Sequence, residues 1–293
     1  MGAPDVSLVI VNYNAGRHLA ACLASVGDAL AAVDWQAIVV DNASNDGSAG
    51  AVAQCAPRVT LVEPGTNLGF ARAANLGASH ASAPLLLFLN PDCRLRSNPL
   101  PPLLDELAAY PRCAVVAPTV ADEDGTPQGN ARGDPDMLTG LFGRTSMLRR
   151  VLPGTALSRR NVVAARPDEP RGRSLEVDWV SGSCMLVRRD AFGEVGGFDG
   201  RYFLYWEDAD LCRRLRGAGW TTRFRPDATV IHVGGQSARS APGLALRAFH
   251  RSAFLYYRTH VAPSPLDPRR GIAALLLALR YGTKRIERAL SRR

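Results

Sequence analysis

Along the first 120 residues, runs of Val, Ile, Leu and Ala alternate with stretches whose apolar residues recur at helical spacing. The runs fall at residues 6–11, 37–40, 59–62, 85–89 and 114–117. They are nearly continuous, as expected of strands buried on both faces, whereas a half-exposed strand would alternate apolar with polar. Strand, helix, strand in repetition predicts an α/β fold with a mostly parallel central sheet flanked by helices. Ligands of such sheets bind beyond the carboxyl ends of the strands, so the residues leaving each run are the first site candidates.

Those exits are polar. Asn12-Tyr13-Asn14 follows the first run, Asp41-Asn42-Ala43-Ser44 the second and Asn90-Pro91-Asp92 the fourth, while the third leads into Asn67-Leu68-Gly69-Phe70-Ala71-Arg72-Ala73-Ala74-Asn75. Neither GxGxxG nor GxxxxGK[ST] follows the first strand, which argues against a dinucleotide fingerprint and a P-loop. From 121 to 176 the chain is rich in Gly, Pro, Asp and Arg and lacks periodicity, predicting a long loop. Order returns at 177–181, 184–187 and 202–206. A helix over about 208–218, a strand pair at 221–224 and 228–233, a helix near 244–260 and a basic helix after Arg270 follow.

Composition narrows the classes. With 46% hydrophobic and 21% charged residues over 293 positions, the chain is neither disordered nor collagen-like. Six scattered cysteines without a CxxC pair suggest no zinc ribbon and no disulfide framework, and fit a reducing compartment. The N-terminus shows no basic stretch ahead of an apolar run, so a cytoplasmic location is expected. The net charge of +8 is concentrated in two places. Residues 144–173 set eight arginines against Asp168 and Glu169, and residues 262–293 set seven arginines and Lys284 against Asp267 and Glu287, a net +6 each. Stacking aromatics are almost absent from both, so nucleic acid is not the expected partner; anionic lipid or a lipid diphosphate suits them better. The apolar run at 272–279 is far short of the roughly 20 residues that span a bilayer. A basic amphipathic helix on the inner face of the cell membrane is expected, its rival being a helix packed on the domain by its leucines.

Several constellations could carry chemistry. Asp41 can accept a hydrogen bond from a nucleotide base or cap a helix, and the segment alone favours neither. Gly69 and its neighbours open a helix where phosphate or ribose could sit, although Asn67 and Gly69 also read as turn residues. Asn90 and Asp92 offer oxygens at i, i+2 on a strand end, suited to a hard cation on a diphosphate. Tyr205-Trp206-Glu207-Asp208-Ala209-Asp210 sets three carboxylates at a helix start beside Tyr202 and Phe203. A cap needs one carboxylate; a base held there would be favoured in its ionised form, beside an aromatic wall for a sugar. His232, ending a strand beside two glycines, is a candidate further ligand to an ion at Asp92, though a lone strand histidine is usually structural.

As an ordered set, VIVNYN, VVDNASNDGS, TNLGF, FLNPD, FLYWEDADLCRRLRGAGW and VIHVGG resemble the family 2 glycosyltransferases of GT-A fold, bacterial rhamnosyltransferases above all, over about residues 6–235. The resemblance implies an inverting transfer. A dTDP- or UDP-linked sugar, bound through Mg²⁺ or Mn²⁺, is attacked by an acceptor hydroxyl that one carboxylate deprotonates. Carried over by position, Asn12, Tyr13, Asn14, Asp41, Asn67, Gly69, Arg72, Asn75 and Asn90 line the donor, with Asp41 on the nucleotide base. Asp92 holds the metal and His232 the metal or the diphosphate. Asp208 is the base, and Glu207 and Trp206 hold the acceptor. Two departures stand out: Asn90-Pro91-Asp92 replaces Asp-x-Asp, as in many rhamnosyl members, and Ala73-Ala74 stands where relatives often carry glycines, implying a tighter donor pocket.

The expected function is transfer of L-rhamnose from dTDP-rhamnose to a glycan or lipid-linked acceptor in cell-envelope polysaccharide synthesis. The alternatives are another sugar (galactofuranose, glucose or N-acetylglucosamine) from a UDP donor, or a nucleotide-binding module without catalysis. The expected organisation is a catalytic domain over 1–240, with a nucleotide-sugar half to 120 and an acceptor half carrying the 121–176 loop. A basic helical segment over 241–293 follows.

Overall fold

The computed structural model describes residues 3–55, 57–135, 174–234 and 241–290. The parallel half of the sheet is built from β1 (Val6–Asn12), β2 (Trp35–Asp41), β3 (Val59–Val62) and β4 (Leu85–Leu89). Helices α1 (Arg17–Ala29) and α2 (Phe70–Ser79) and a short 3-10 helix at Ser48–Cys55 connect them. β5 (Cys93–Arg94), α3 (Leu100–Ala109), β6 (Cys113–Ala121) and β7 (Ala131–Arg132) follow. Beyond them come β8 (Leu175–Val177), β9 (Trp179–Val180), β10 (Cys184–Arg188), α4 (Arg189–Glu194), α5 (Glu207–Gly217) and β11 (Thr221–His232). Helix α6 (Pro242–Tyr256), a π-turn at Tyr257–Val261 and α7 (Arg269–Leu290) close the chain.

The strand order is β3-β2-β1-β4-β10-β6-β11-β5, with β8 beside β11 and a separate β7-β9 pair. β1 through β4 are parallel, β10 runs antiparallel between β4 and β6, and β11 is parallel to β6. The sheet is therefore mixed, with its parallel half where the apolar runs predicted it. Both faces are covered. Leu8 and Ile10 point to the α1 and α3 side, and Val9 and Val11 to the α2 and α5 side. Burial on both faces is why these strands show no polar alternation.

Two expectations are corrected. The strand pair at 221–224 and 228–233 is one strand, β11, with a register shift between Arg225 and Thr229; Pro226, which cannot donate to a ladder, lies in the irregularity. Ala73 and Ala74 are fully buried in the core, and nearby a Cβ on Gly77 would lie 2.6 Å from Val9 Cγ1. Small residues let α2 lie close on the sheet, so Ala73 and Ala74 belong to helix–sheet packing and not to the pocket wall.

The basic cluster at 144–173, most of the 121–176 loop and Gly235 lie outside the described residues. The described start of that loop is built structure: Ala131 and Arg132 pair with Val180 and Trp179, and Asn130 Nδ2 donates to Pro118 O (2.8 Å).

Candidate functional site

The parallel pairing puts Asn12 beside Asp41 at the carboxyl ends of β1 and β2. β10 starts where β4 ends, Cys184 opposite Leu89, and His232 of β11 pairs with Cys93. One sheet edge thereby gathers Asn12, Asp41, Asn90, Asp92, Ser183 and His232.

On the β1–β2 side these polar groups bond chiefly to one another. Asp41 is buried; its Oδ1 accepts from Asn12 Nδ2 (2.6 Å) and its Oδ2 from the Ser44 amide (3.0 Å). Asn12 Nδ2 also reaches Ser48 Oγ (2.8 Å), while its buried Oδ1 has no hydrogen-bond partner. Asn14, at a positive φ of 49°, donates its amide to Ser44 Oγ (2.9 Å) and accepts the Asn45 amide on its Oδ1 (2.9 Å). The cap at Ser48 is Asp46, which accepts from the Ser48 amide (3.0 Å) and hydroxyl (2.6 Å). Burial opposes ionisation, but these bonds and the Gly16 amide bring the Asp46 carboxyl below its ordinary range. Tyr13 is half-buried on the same turn. Asn42, which the sequence placed at the second exit without a role, joins that exit to the third: its Oδ1 accepts from the Leu68 amide (3.2 Å) and its Nδ2 donates to Gly69 O (3.1 Å).

The α2 candidates look toward the segment that precedes Glu207. A Cβ on Gly69 would lie 2.3 Å from Phe203 O, so its close approach serves the chain itself and not a ligand. Asn67 Oδ1 accepts from the Gly69 amide (2.9 Å), a turn contact. Arg72 Nε donates to Gly200 O (2.9 Å), and Asn75 clamps Phe198 through both its amide (2.9 Å) and its carbonyl (2.7 Å). These side chains, expected on the donor, hold the 197–203 segment that leads into Glu207.

That lead-in is strained. Tyr205 and Trp206 both have positive φ, 68° and 72°, at a cost on the order of 1–3 kcal/mol each. Trp206 stands at the helix N-cap without a side-chain cap. The three carboxylates then divide. Asp210, fully buried, bonds Arg214 Nε (2.7 Å), His260 Nε2 (2.6 Å) and the Tyr202 hydroxyl (3.3 Å). It is a structural anchor. Asp208 Oδ2 accepts from the Gly182 amide (3.0 Å) and Oδ1 from the Ala209 amide (2.8 Å). Glu207 is buried and its Oε2 has no hydrogen-bond partner. Burial first, and the Asp208 charge second, push the Glu207 carboxyl well up. Burial also raises Asp208, against the Gly182 and Ala209 amides and the Arg132 charge, which favour its ionised form.

Gly182 and Ser183 tie this pair to the other exits. Gly182 bonds Asp208, while Ser183 O accepts from the Asn90 amide (2.9 Å), two residues ahead of Asp92. His232 is oriented from behind. Gln128 Nε2 donates to Asp122 Oδ1 (2.7 Å) and His232 O (2.8 Å), which leaves Gln128 Oε1 to accept from His232 Nδ1 (2.9 Å). With Nδ1 turned to Gln128, Nε2 lies 3.1 Å from Asp92 Oδ1 and 3.3 Å from Asn90 Nδ2, an approach that either an Nε2 proton or a cation between the two groups accounts for. Two donors on adjacent positions of an octahedral ion at about 2.1 Å are also about 3.0 Å apart. The pair fits a divalent ion. Among the described residues no group of three or more His, Cys, Asp and Glu is placed to hold a metal ion.

Sequence reasoning assigned no role to Asn42 and missed Gln128, Gly182 and His260. Each acts across at least 26 residues of chain or in a register no local pattern reports.

The fold is that of the GT-A glycosyltransferases. It is similar to GalNAc-T7 solved with UDP, GalNAc and Mn²⁺ (TM-score 0.58, 18% identity, 89% of this chain and 57% of that one). It is also similar to a mannosyltransferase of Pyrobaculum calidifontis with GDP-Man and Mn²⁺ (TM-score 0.54, 16% identity, 95% and 74%). Residues 7–196 match the family described as Glycosyl transferase family 2, and 144–253 match Glycosyltransferase like family 2. The chain belongs to glycosyl transferase family 2. Among its relatives are an N-acetylglucosaminyl-diphospho-decaprenol L-rhamnosyltransferase of Mycobacterium tuberculosis, 36% identical over 85% of this chain and 82% of that protein, and rhamnosyltransferase WbbL of Escherichia coli, 45% identical over 27% and 30%.

Proposed function

We propose that the protein is an inverting rhamnosyltransferase that moves L-rhamnose from dTDP-rhamnose to a hydroxyl of a lipid-linked glycan acceptor in cell-envelope synthesis. The observation that carries this reading is Glu207: a buried carboxylate with an unpartnered oxygen, beside Asp208, on a strained aromatic turn. A strained turn and a buried acceptor atom without a partner are features a passive nucleotide-binding module does not need. The name of the M. tuberculosis relative supports both the sugar and the lipid-linked acceptor.

In this reading Asp208, held by the Gly182 and Ala209 amides, takes the proton of the attacking hydroxyl. Glu207 accepts a hydrogen bond from the acceptor, and Trp206 gives it a wall. Asn12, Tyr13, Asn14 and Asp41 form the floor under the nucleotide, with Asn12 Oδ1 free to receive a donor group. Asn67, Gly69, Arg72 and Asn75 support the site from behind. Asp92 and His232 would hold Mg²⁺ or Mn²⁺, with Asn90 beside them, and a bound ion would supply charge neutralisation for the departing diphosphate. The protein works on the inner face of the cell membrane.

The test is transfer by the purified chain from dTDP-rhamnose and from UDP-sugars to polyprenyl-diphosphate-linked N-acetylglucosamine. Product is expected from dTDP-rhamnose with its anomeric configuration inverted, lost on chelation and restored by Mg²⁺ or Mn²⁺. Binding of dTDP without transfer from any donor would overturn the reading in favour of a binding module. Undiminished transfer after exhaustive chelation would remove the role of Asp92 and His232.

A further inference from the structure

Helix α7 has two apolar faces and buries only one. Ala273 and Leu277 turn inward with Arg280, which stacks on Phe249 of α6 (5.0 Å), and Tyr281, whose ring lies 5.4 Å from that of His250. Tyr281 thus faces the protein. On the other side Ile272, Leu275, Leu279, Ile286 and Leu290 are 50%, 61%, 58%, 61% and 66% exposed. At 100° per residue they occupy an arc of about 60°, running the roughly 30 Å length of the helix. The expectation that the leucines pack on the domain holds for Leu277 alone among these.

The border of this stripe is cationic. Residues 269–290 carry six Arg and Lys against Glu287 alone. Arg269 and Arg285 flank the stripe, about 60–80° to either side. Arg270 donates to Ala262 O (2.7 Å) and Pro263 O (2.8 Å), Arg288 bonds Pro242 O, and Arg285 lies over the Tyr281 ring (5.8 Å). Arg269 pairs with Asp267 (2.6 Å) and Lys284 with Glu287 (2.7 Å), whereas the carbonyls and ring met by Arg270, Arg288 and Arg285 leave those three positive charges uncompensated. A second protein copy would bring like charge against like; an anionic lipid surface complements both the charge and the apolar stripe.

We infer that the outer face of α7 is a docking surface for an anionic bilayer, with Leu275 and Leu279 inserted at the headgroup level and the cations on lipid phosphates. No helix among the described residues is long and apolar enough to cross a membrane, so the contact is in plane. One helix layer separates this face from the acceptor turn: Phe249 of α6 packs on Tyr205 (5.9 Å) and Trp206 (6.0 Å). Docking through α7 thus sets the acceptor side close to the leaflet that would carry a lipid-linked substrate. The inference rests on the membrane location within the proposed function, but its test contains no sugar donor, so its failure leaves the transferase reading intact.

The experiment is flotation of the full chain with phosphatidylcholine vesicles, with and without phosphatidylglycerol, at low and high salt. Binding is expected to the anionic vesicles only and to weaken with salt. Leu275→Ser with Leu279→Ser, both exposed and so compatible with an unchanged Tm, should lower it about tenfold or more. The same variant should keep its turnover on a water-soluble acceptor. No flotation of the unaltered chain, or equal flotation with uncharged vesicles, would overturn the inference. So would a dimer in sedimentation that the double variant dissociates, since a second copy would then own the surface.

Discussion

The two sides of the site, the proposed nucleotide side and the proposed acceptor side, are held in different ways. On the nucleotide side, Asn12, Asn14, Asp41, Asn42, Ser44 and Ser48 hydrogen-bond mainly to each other, a mesh that fixes three strand exits. On the acceptor side, the turn before Glu207 has two left-handed aromatic residues and a buried carboxylate oxygen without a partner. Its conformation is imposed from outside, by Arg72, Asn75 and Arg214 on the preceding segment and by His260 on Asp210. Both sides break local rules, since Asn14 and Ala43 also have positive φ and Asn12 Oδ1 has no partner; what differs is that the strand exits hold one another whereas the turn before Glu207 is held by residues outside it.

The sharpest test of this contrast is Asp208→Asn. It keeps shape and loses the base, so turnover should fall about 10²–10⁴-fold while donor Kd stays within a few-fold. Both carboxyls of the pair are raised by burial. The acid limb of the rate profile should therefore lie above the ordinary carboxylate range, activity rising with pH as the pair ionises and belonging to the pair as a unit. Glu207→Gln should change this limb by removing the neighbouring charge. Near-normal turnover of Asp208→Asn at saturating donor would move the base to Glu207.

His260→Ala follows in size. The histidine touches no candidate substrate position but bonds Asp210 at 2.6 Å, on the helix that carries Glu207 and Asp208. Turnover should fall about tenfold, equivalent to about 1.4 kcal/mol of barrier, with donor Kd unchanged and partial rescue by His260→Gln. A loss confined to Tm, with kcat and acceptor KM intact, would make His260 a purely structural contact.

How far sequence reached follows the same division. The apolar runs and their polar exits were legible because burial on both faces and strand ends leave local marks; the three carboxylates at 207–210 were legible as more than a cap needs, but the helix has no side-chain cap, and Asp210 is spent on Arg214 and His260. Nothing local announces that β10 enters antiparallel between β4 and β6, yet that insertion brings Gly182 to Asp208 and Ser183 to Asn90. Nor can spacing show that Arg72 and Asn75 reach residues more than 120 positions away. A polar side chain at a helix start looks the same in sequence whether it meets a phosphate or the protein's own backbone.

Asn75 gives the smallest expected effect and separates those two cases. Its side chain satisfies both the amide and the carbonyl of Phe198, a residue almost wholly buried. Asn75→Ala leaves both groups without that partner, at a cost of about 1–3 kcal/mol. For a chain of this size that is a Tm lower by roughly 2–4 °C per kcal/mol. Because the side chain is spent on Phe198, donor Kd measured below the transition should stay within a few-fold, with any kinetic loss appearing at the acceptor, whose turn the 197–203 segment leads into. The reverse pattern, a donor Kd weakened tenfold at unchanged Tm, would return Asn75 to the nucleotide side. It would also break the division between a self-bonded donor edge and an externally held acceptor turn.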